Sequence, residues 1–504
     1  MKFWQRAAMR TAAASLTVSL AAWGALHLGT TPAAADEINV NGVSAQVVDV
    51  NQPMLRGVWI DTWNPGMLSP EQVETLVEEV RSANLNAIFP EVRKVGDAYY
   101  LNGLEPMADN IDGPEDWDPL QHLIDLCHDT SDGKQYIEVH AWLVTLRMWN
   151  QRLGDPPPGH LFYEHPDTIM TTAEGEELGG TSMFADPGHP MTIEWTARVF
   201  RDVAERYDID GIHHDYVRYP GDYDGNWGHN EVSLQRFRER TGFEGTPEND
   251  DPRWQAWRRS QVNDLVRRVY GEVLEANPNV LVSAATLNWA LEMDPWAWFT
   301  SSPRLNAHQD WVNFMHEGTL DLNVLMNYTR EDAQPHRYGD WMDLALATRF
   351  DRHAIMGPGG YLNSIEDTWR LIREAVEAGA DGINIYCYAN TNTDGVPRTE
   401  FFERLGQELF TEQVPPSERP WKDDPVYGAV IGQVFEDGEW VDGAVVTLNG
   451  AATKTLLTDG TGFYGFFRAA PGTNAVRVVM PDGSVHLQDV EVEAGLASRV
   501  DFEL

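Results

Sequence analysis

Between Met54 and Phe410, short apolar runs of strand length alternate with stretches whose apolar residues recur every three or four positions. The runs predict strands at Leu55–Asp61, Ala87–Arg93, Tyr136–Trp142, Gly211–Tyr216, Val280–Leu287, Leu322–Asn327, Ala354–Gly357 and Gly382–Tyr388. Ser69-Pro70, an N-cap followed by proline at the first helical position, opens a helix that continues through Val73, Leu76, Val77 and Val80. Further helices are predicted at Thr192–Tyr207, Trp254–Ala276, Asp340–Arg349 and Ile365–Ala378. Eight strands, each followed by a helix, are the arithmetic of an α/β fold, the (β/α)8 TIM barrel. The longest insertions, Asn102–Asp118, Gln151–Pro190 and Gly221–Asp251, all follow strands, the end where this fold builds its sites.

The pattern changes after Phe410. Residues 411–424 are rich in proline and charge and read as a linker. Residues 425–504 carry short strand runs between glycine turns, the spacing of a small all-β sandwich. At the other end, Lys2, Arg6 and Arg10 precede an apolar stretch from Ala12 to about Leu28, and Ala33-Ala34-Ala35 offers a cleavage site. Residues 1–35 are therefore expected to be a signal peptide cleaved near Ala35, residues 36–53 a lead-in, and the mature protein extracytoplasmic, secreted or periplasmic, without stable membrane insertion.

Charge narrows the partners. Of 504 residues, 37 are Lys or Arg and 78 Asp or Glu, a formal charge of -41. Loss of Lys2, Arg6 and Arg10 with the signal would take it to -44. A polyanionic nucleic acid would be repelled, so none is expected as a partner. With five lysines in the chain, the acidic surface also resembles adaptation to high salt, with an ordinary acidic secreted protein as the alternative. Cys127 and Cys387 are too few for a disulfide scaffold and are not expected to pair. Asp222-x-Asp224-x-Asn226 and Asn390-x-Asn392-x-Asp394 echo calcium loops but lack the bidentate Glu, and no metal or cofactor is expected. Oligomeric state is left open.

Strand alternation sorts the candidate chemistry. Glu91 and Arg93 share the inner face of the second strand, where Arg93 is expected to pair with Glu91 and lower its pKa. Glu138, His140 and Trp142 face inward on the third, and Asn384, Tyr386 and Tyr388 on the eighth. Asp61 and Trp63 follow the first strand, Asp97 the second, His214, Asp215, Arg218 and Tyr219 end the fourth, Asn288 and Trp289 follow the fifth, and Asn327, Tyr328 and Glu331 the sixth. Carboxylates among aromatic rings at a barrel mouth suit sugar chemistry: pyranose faces stack on the rings, hydroxyls bind the polar groups, and cleavage uses two carboxyl groups.

Three strings then identify a resemblance. Arg56-Gly-Val-Trp-Ile-Asp-Thr62, Glu91-Val-Arg-Lys-Val-Gly-Asp-Ala-Tyr-Tyr100 and Asp210-Gly-Ile-His-His-Asp-Tyr-Val-Arg-Tyr-Pro220 resemble the glycosyl-hydrolase-like family 10 barrels over residues 54–410. The C-terminal strings Gly443-Ala-Val-Val446 and Thr458-Asp-Gly-Thr-Gly-Phe-Tyr464 resemble carboxypeptidase-regulatory-like (prealbumin-like) modules, which are usually accessory. Removal of residues 411–504 is accordingly expected to leave barrel catalysis largely intact. The first resemblance implies a glycoside hydrolase acting on glycan strands, above all bacterial cell-wall peptidoglycan. By analogy with related barrels, Asp215 would be the nucleophile of a retaining mechanism, held ionised by Arg218 and His214. The proton donor stays open between Glu331, Glu292 and Glu91, in that order. Another polysaccharide, such as an α-glucan or exopolysaccharide, or a non-catalytic glycan-binding barrel, are the competing readings.

Overall fold

A polar residue followed by proline opens four of the helices. Ser69-Pro70, Asp118-Pro119 and His189-Pro190 start α1 (Pro70–Ser82), α2 (Pro119–His128) and α3 (Pro190–Arg206). After α4 (Glu231–Thr241), Asp251-Pro252 starts α5 (Pro252–Ala276). Each capping side chain accepts a first-turn amide, and proline lacks the amide that would otherwise go unpaired. The same signal places the starts of α3 and α5 two residues ahead of where apolar periodicity alone puts them.

The computed structural model describes residues 37–40, 43–46, 48–289, 297–334 and 336–504. The predicted signal and its cleavage site lie outside the described residues, as does Glu292. Residues 1–49 and 50–504 form separate compact units. The first contains an antiparallel pair, Glu37–Val40 with Val43–Gln46.

In the second unit, eight parallel strands close into a barrel. They are β1 (Leu55–Ile60), β2 (Ala87–Arg93), β3 (Glu138–Val144), β4 (Gly211–Asp215), β5 (Leu281–Thr286), β6 (Leu322–Leu325), β7 (His353–Met356) and β8 (Gly382–Ile385), with β8 pairing back onto β1. Helices α6 (Trp311–Glu317), α7 (Arg337–Ala347), α8 (Ile365–Glu377) and α9 (Arg398–Arg404) complete the outer layer. The barrel interior is packed by Leu55, Phe89, Leu281, Val324 and Ile355 among others. Some of its polar groups pair with one another: Trp59 Nε1 donates to His213 Nε2 at 3.1 Å, and His213 Nδ1 lies 2.8 Å from Ser283 Oγ. The His140 ring stacks on Phe89 at 4.4 Å, and a Cβ at Gly211 would collide with it.

Residues 411–424 are the floor of the barrel rather than a loose spacer. Met54 N–H donates to Pro415 O at 3.0 Å, Arg56 Nη1 to Glu412 O at 2.7 Å, and Asn86 Nδ2 to Val414 O at 3.0 Å. Arg419 forks onto the Glu138 carboxylate at 2.7 and 2.8 Å. Trp421, in α10 (Pro420–Asp423), packs against the barrel core, and Lys422 Nζ donates to Pro278 O and Val280 O.

The C-terminal residues form two facing antiparallel-rich sheets. One is built on β9 (Gly428–Glu436) and a later partner, Phe463–Ala469. The other contains four strands, Val445–Asn449, Thr453–Leu457, Gly472–Val479 and Val485–Val492. Val430, Val446, Tyr464 and Val476 fill the core between them. This sandwich is docked on α4 and α5. Arg499 bridges Glu272 and Glu275, Asp442 takes Arg236 and Arg240, and Phe467 sets its ring edge to Tyr270 at 4.9 Å. Cys127 and Cys387 are buried free thiols. No helix among the described residues is long and apolar enough to cross a membrane.

Candidate active site

The strands end at a common mouth, where a cleft of about 290 Å³ opens. Asp61, Glu91 and Asp215 supply its carboxylates. Trp59, Trp63, Trp142, Tyr328 and Tyr386 supply rings from strands or strand ends, and Tyr361 one from the turn after β7.

Asp215 is the last residue of β4. Its Oδ1 accepts the Tyr216 N–H at 2.6 Å and Arg218 Nη1 at 3.2 Å, leaving Oδ2 without a partner among the described residues. Tyr216 holds φ at 49°, a region side-chain-bearing residues seldom adopt and one that recurs at functional sites. Its neighbours hold it there: Thr145 N–H donates to Asp215 O and Leu146 N–H to Tyr216 O.

Glu91 sits two strands away. It pairs in register with Trp142, whereas Asp215 pairs with Val144, so the aspartate stands two residues nearer the mouth. Glu91 Oε2 accepts both the N–H and the Oγ1–H of Thr62 at 2.8 Å. Burial pushes its carboxyl up to about 7, against the opposing pull of the Thr62 bonds and the Arg147 charge. The expected pairing with Arg93 does not occur. The β2–β3 register shifts between Glu91 and Arg93, and Arg93 turns to a buried bidentate pair with Glu105 at 2.5 and 2.7 Å. Without a cation directly bonded to it, the Glu91 carboxyl is raised rather than lowered.

Asp61 accepts the Trp63 and Asn64 amides at 3.1 Å, a local turn that presents Trp63 at the rim, where it is 48% exposed beneath the Lys94 ammonium. Arg218 stacks on Tyr216 and lies 5.6 Å from the Trp289 ring.

Other expected site residues take different places. Glu331 forms an ion pair with Arg370 at 3.0 Å and is not in the cleft lining, which removes the basis for its choice as acid. His214 faces outward, as the residue next to an inward aspartate must. It contacts Thr145 Oγ1 at 3.0 Å and stacks on Phe200, and burial lowers its pKa to about 3, so it adds no positive charge beside Asp215. His140 lies inside the barrel below the cleft, 3.1 Å from Glu138, and Asn384 is also buried there, with its amide close to Gly57. Asp97 accepts the Lys94 and Val95 amides and shapes a turn. Tyr219 is buried against His308. Asn288 donates to Asn327, which donates on to Tyr338 O, a buried chain of scaffolding bonds. Tyr388 leaves the interior and donates to Glu79 of α1.

Arg147, Tyr216 and Tyr361 line the cleft without having been singled out from sequence. Tyr216 lay within the Asp210–Pro220 string, and its place directly after the strand-end aspartate was the available signal. Arg147 opens a short strand, Arg147–Asn150, of a three-stranded sheet formed by the insertion after β3. No periodicity marked it. Among the described residues no cluster of three or more His, Cys, Asp or Glu is arranged to hold a metal ion.

A family model, glycosyl hydrolase-like 10, matches residues 54–339. The glycosyl hydrolase YngK of Bacillus subtilis is 26% identical over 341 residues, 62% of this chain and 62% of that protein. This chain therefore spans less than two thirds of that relative's length. The glycosyl hydrolase DigH of Escherichia coli is 24% identical over 339 residues, 59% of this chain and 72% of that protein. Among solved structures, the PgaB (BpsB) glycoside hydrolase domain from Bordetella bronchiseptica superposes with a TM-score of 0.50 at 16% identity, over 70% of this chain and 99% of that one. The catalytic domain of beta-amylase from Paenibacillus polymyxa does so with 0.51 at 12% identity, over 73% and 100%. At these identities the structural likeness establishes the barrel.

Proposed function

The chain belongs to the glycosyl hydrolase-like 10 family, and from that premise we propose that it is an extracytoplasmic glycoside hydrolase that cleaves glycan strands, those of bacterial cell-wall peptidoglycan first among them. One observation carries the reading: of the three carboxyl groups in a single ring-lined cleft, two stand in contrasting surroundings. Asp215 has a guanidinium and an amide on one oxygen and its other oxygen open. Glu91 is buried, bonded only to neutral donors, and raised to about 7. A buried, raised carboxyl in the same cleft as a carboxylate with an open oxygen suits the roles of acid and nucleophile.

In the proposed reaction Asp215 attacks the anomeric carbon as the glycosidic bond breaks, and Glu91 gives its proton to the departing oxygen. The ionised Glu91 then takes a proton from water, whose oxygen attacks the same carbon and releases Asp215 from the glycosyl ester. Trp142, Tyr328 and Tyr386 would stack on sugar faces, while Asp61 would bind a hydroxyl.

The test is release of reducing ends from purified wall glycan. Asp215→Asn should lose at least about a thousandfold in turnover, and a 2-fluoro glycoside should leave a mass adduct on the peptide containing Asp215. An adduct elsewhere, or undiminished turnover, removes the mechanism. Cleavage of an α-glucan or exopolysaccharide in preference to wall glycan would keep the chemistry and replace the substrate.

A further inference from the structure

We propose that Arg147, together with Arg218 beside the same Tyr216 ring, forms a subsite for a carboxylate carried by a sugar of the bound glycan. The inference rests on the cleft being a glycan site and names the substrate chemistry that the site selects.

Arg147 is a partly exposed guanidinium in the cleft lining. Its centre lies 4.0 Å from the Tyr216 ring, and that of Arg218 lies 3.9 Å from it. Arg218 is spoken for at one nitrogen by Asp215, but its Nε is buried without a partner, as is Trp142 Nε1. Beyond its ring contact with Tyr216, the Arg147 guanidinium makes no hydrogen bond or ion pair with any of the described residues. In a chain with 78 acidic and 37 basic side chains, partners are not scarce; the nearby Arg93 has taken Glu105.

These free groups are all donors, so they call for an acceptor from outside the protein. A neutral hydroxyl does not need a guanidinium. A planar carboxylate fits its fork with two parallel bonds. The charge also answers a problem that the cleft itself poses. Asp61 and Asp215 would repel an acidic sugar, and Arg147 in the same lining offsets that repulsion. A doubly charged phosphate would meet more of the same repulsion, which favours the singly charged group. The Tyr216 ring contacts both guanidinium groups, at 4.0 and 3.9 Å from its centroid, and so brings them to one ring.

The experiment compares a wall-glycan tetrasaccharide bearing free lactyl carboxylates with the same compound after reduction of those groups to alcohols. Wild type should favour the acidic form by about tenfold in kcat/KM, the size expected of one charge-assisted pair. Arg147→Gln should erase most of that preference, chiefly through KM, and Arg147→Lys should restore part of it. Equal losses on both compounds, or an unaltered preference, overturn the proposal. So does an equal displacement of the pH profile on both, which would make Arg147 a tuner of Glu91 instead. Calorimetric titration of Glu91→Gln protein with the two compounds reads the preference without turnover. If wild type cleaves neither compound, the wall-glycan reading fails while the calorimetric preference still decides the subsite.

Discussion

Glu91 is where local chemistry and stability pull against each other. Its carboxyl is fully buried and titrates at about 7 against an ordinary value of 4.5. A raised acid contributes its full share of stability below pH 4.5, and that share is lost as the pH climbs through 7. The loss is on the order of 3 kcal/mol. Glu91→Gln removes the titration, so thermal melts should show the variant more stable than wild type at pH 8, with the difference vanishing near pH 4. Activity should move the opposite way. As proton donor, Glu91 must be protonated, so turnover of wild type should fall as pH rises through about 7, and Glu91→Gln should lose about a hundredfold or more on substrates with poor leaving groups. A wild-type profile that stays flat from pH 6 to 9 would exclude Glu91 as the acid.

Among the elements, the segment after the last barrel helix has the largest mechanical consequence. Arg419 reaches Glu138 at the start of β3, and Lys422 reaches carbonyls just before β5. Burial alone would raise Glu138, but the Arg419 guanidinium and His140 hold it down at about 2. Arg419→Ala would leave that carboxylate buried without its cation, at a cost of about 3 kcal/mol. Truncation after residue 410 should therefore destabilise the barrel as well as remove the sandwich, contrary to what a linker predicts. Truncation after residue 424 keeps the floor and should melt higher; equal melting temperatures for the two truncations would show that the floor contributes nothing.

Across the whole molecule the excess of acid sets the response to salt. The ion pairs that dock the sandwich, Arg499 with Glu272 and Glu275 and Asp442 with Arg236 and Arg240, are partly buried and weakly screened. The repulsion of a chain at -41 acts mostly through solvent and is screened strongly. The second effect should win. The melting temperature should rise as NaCl goes from 0.1 to 1 M, over which the Debye length falls from about 10 to about 3 Å. A monotonic fall would mean that interdomain ion pairs dominate.

The barrel is legible in the sequence, because strand alternation, helical periodicity and cap–proline signals are local and each acts within a few residues. It also placed Asp215 at a strand end and put Asp61, Trp63, Trp142, Tyr328 and Tyr386 at the mouth, since a strand's C-terminal residues have nowhere else to go in this fold. What it could not decide was partnership. Arg93 shares a face with Glu91 by alternation, yet a register shift and a carboxylate twelve positions away, Glu105, take it elsewhere. That exchange moves Glu91 from the third choice of proton donor to the first. Glu331, His214 and the floor segment depart from the local pattern for the same reason. Their roles depend on contacts with Arg370, Phe200 and Glu138, which sit on other elements and which strand alternation does not pair with them.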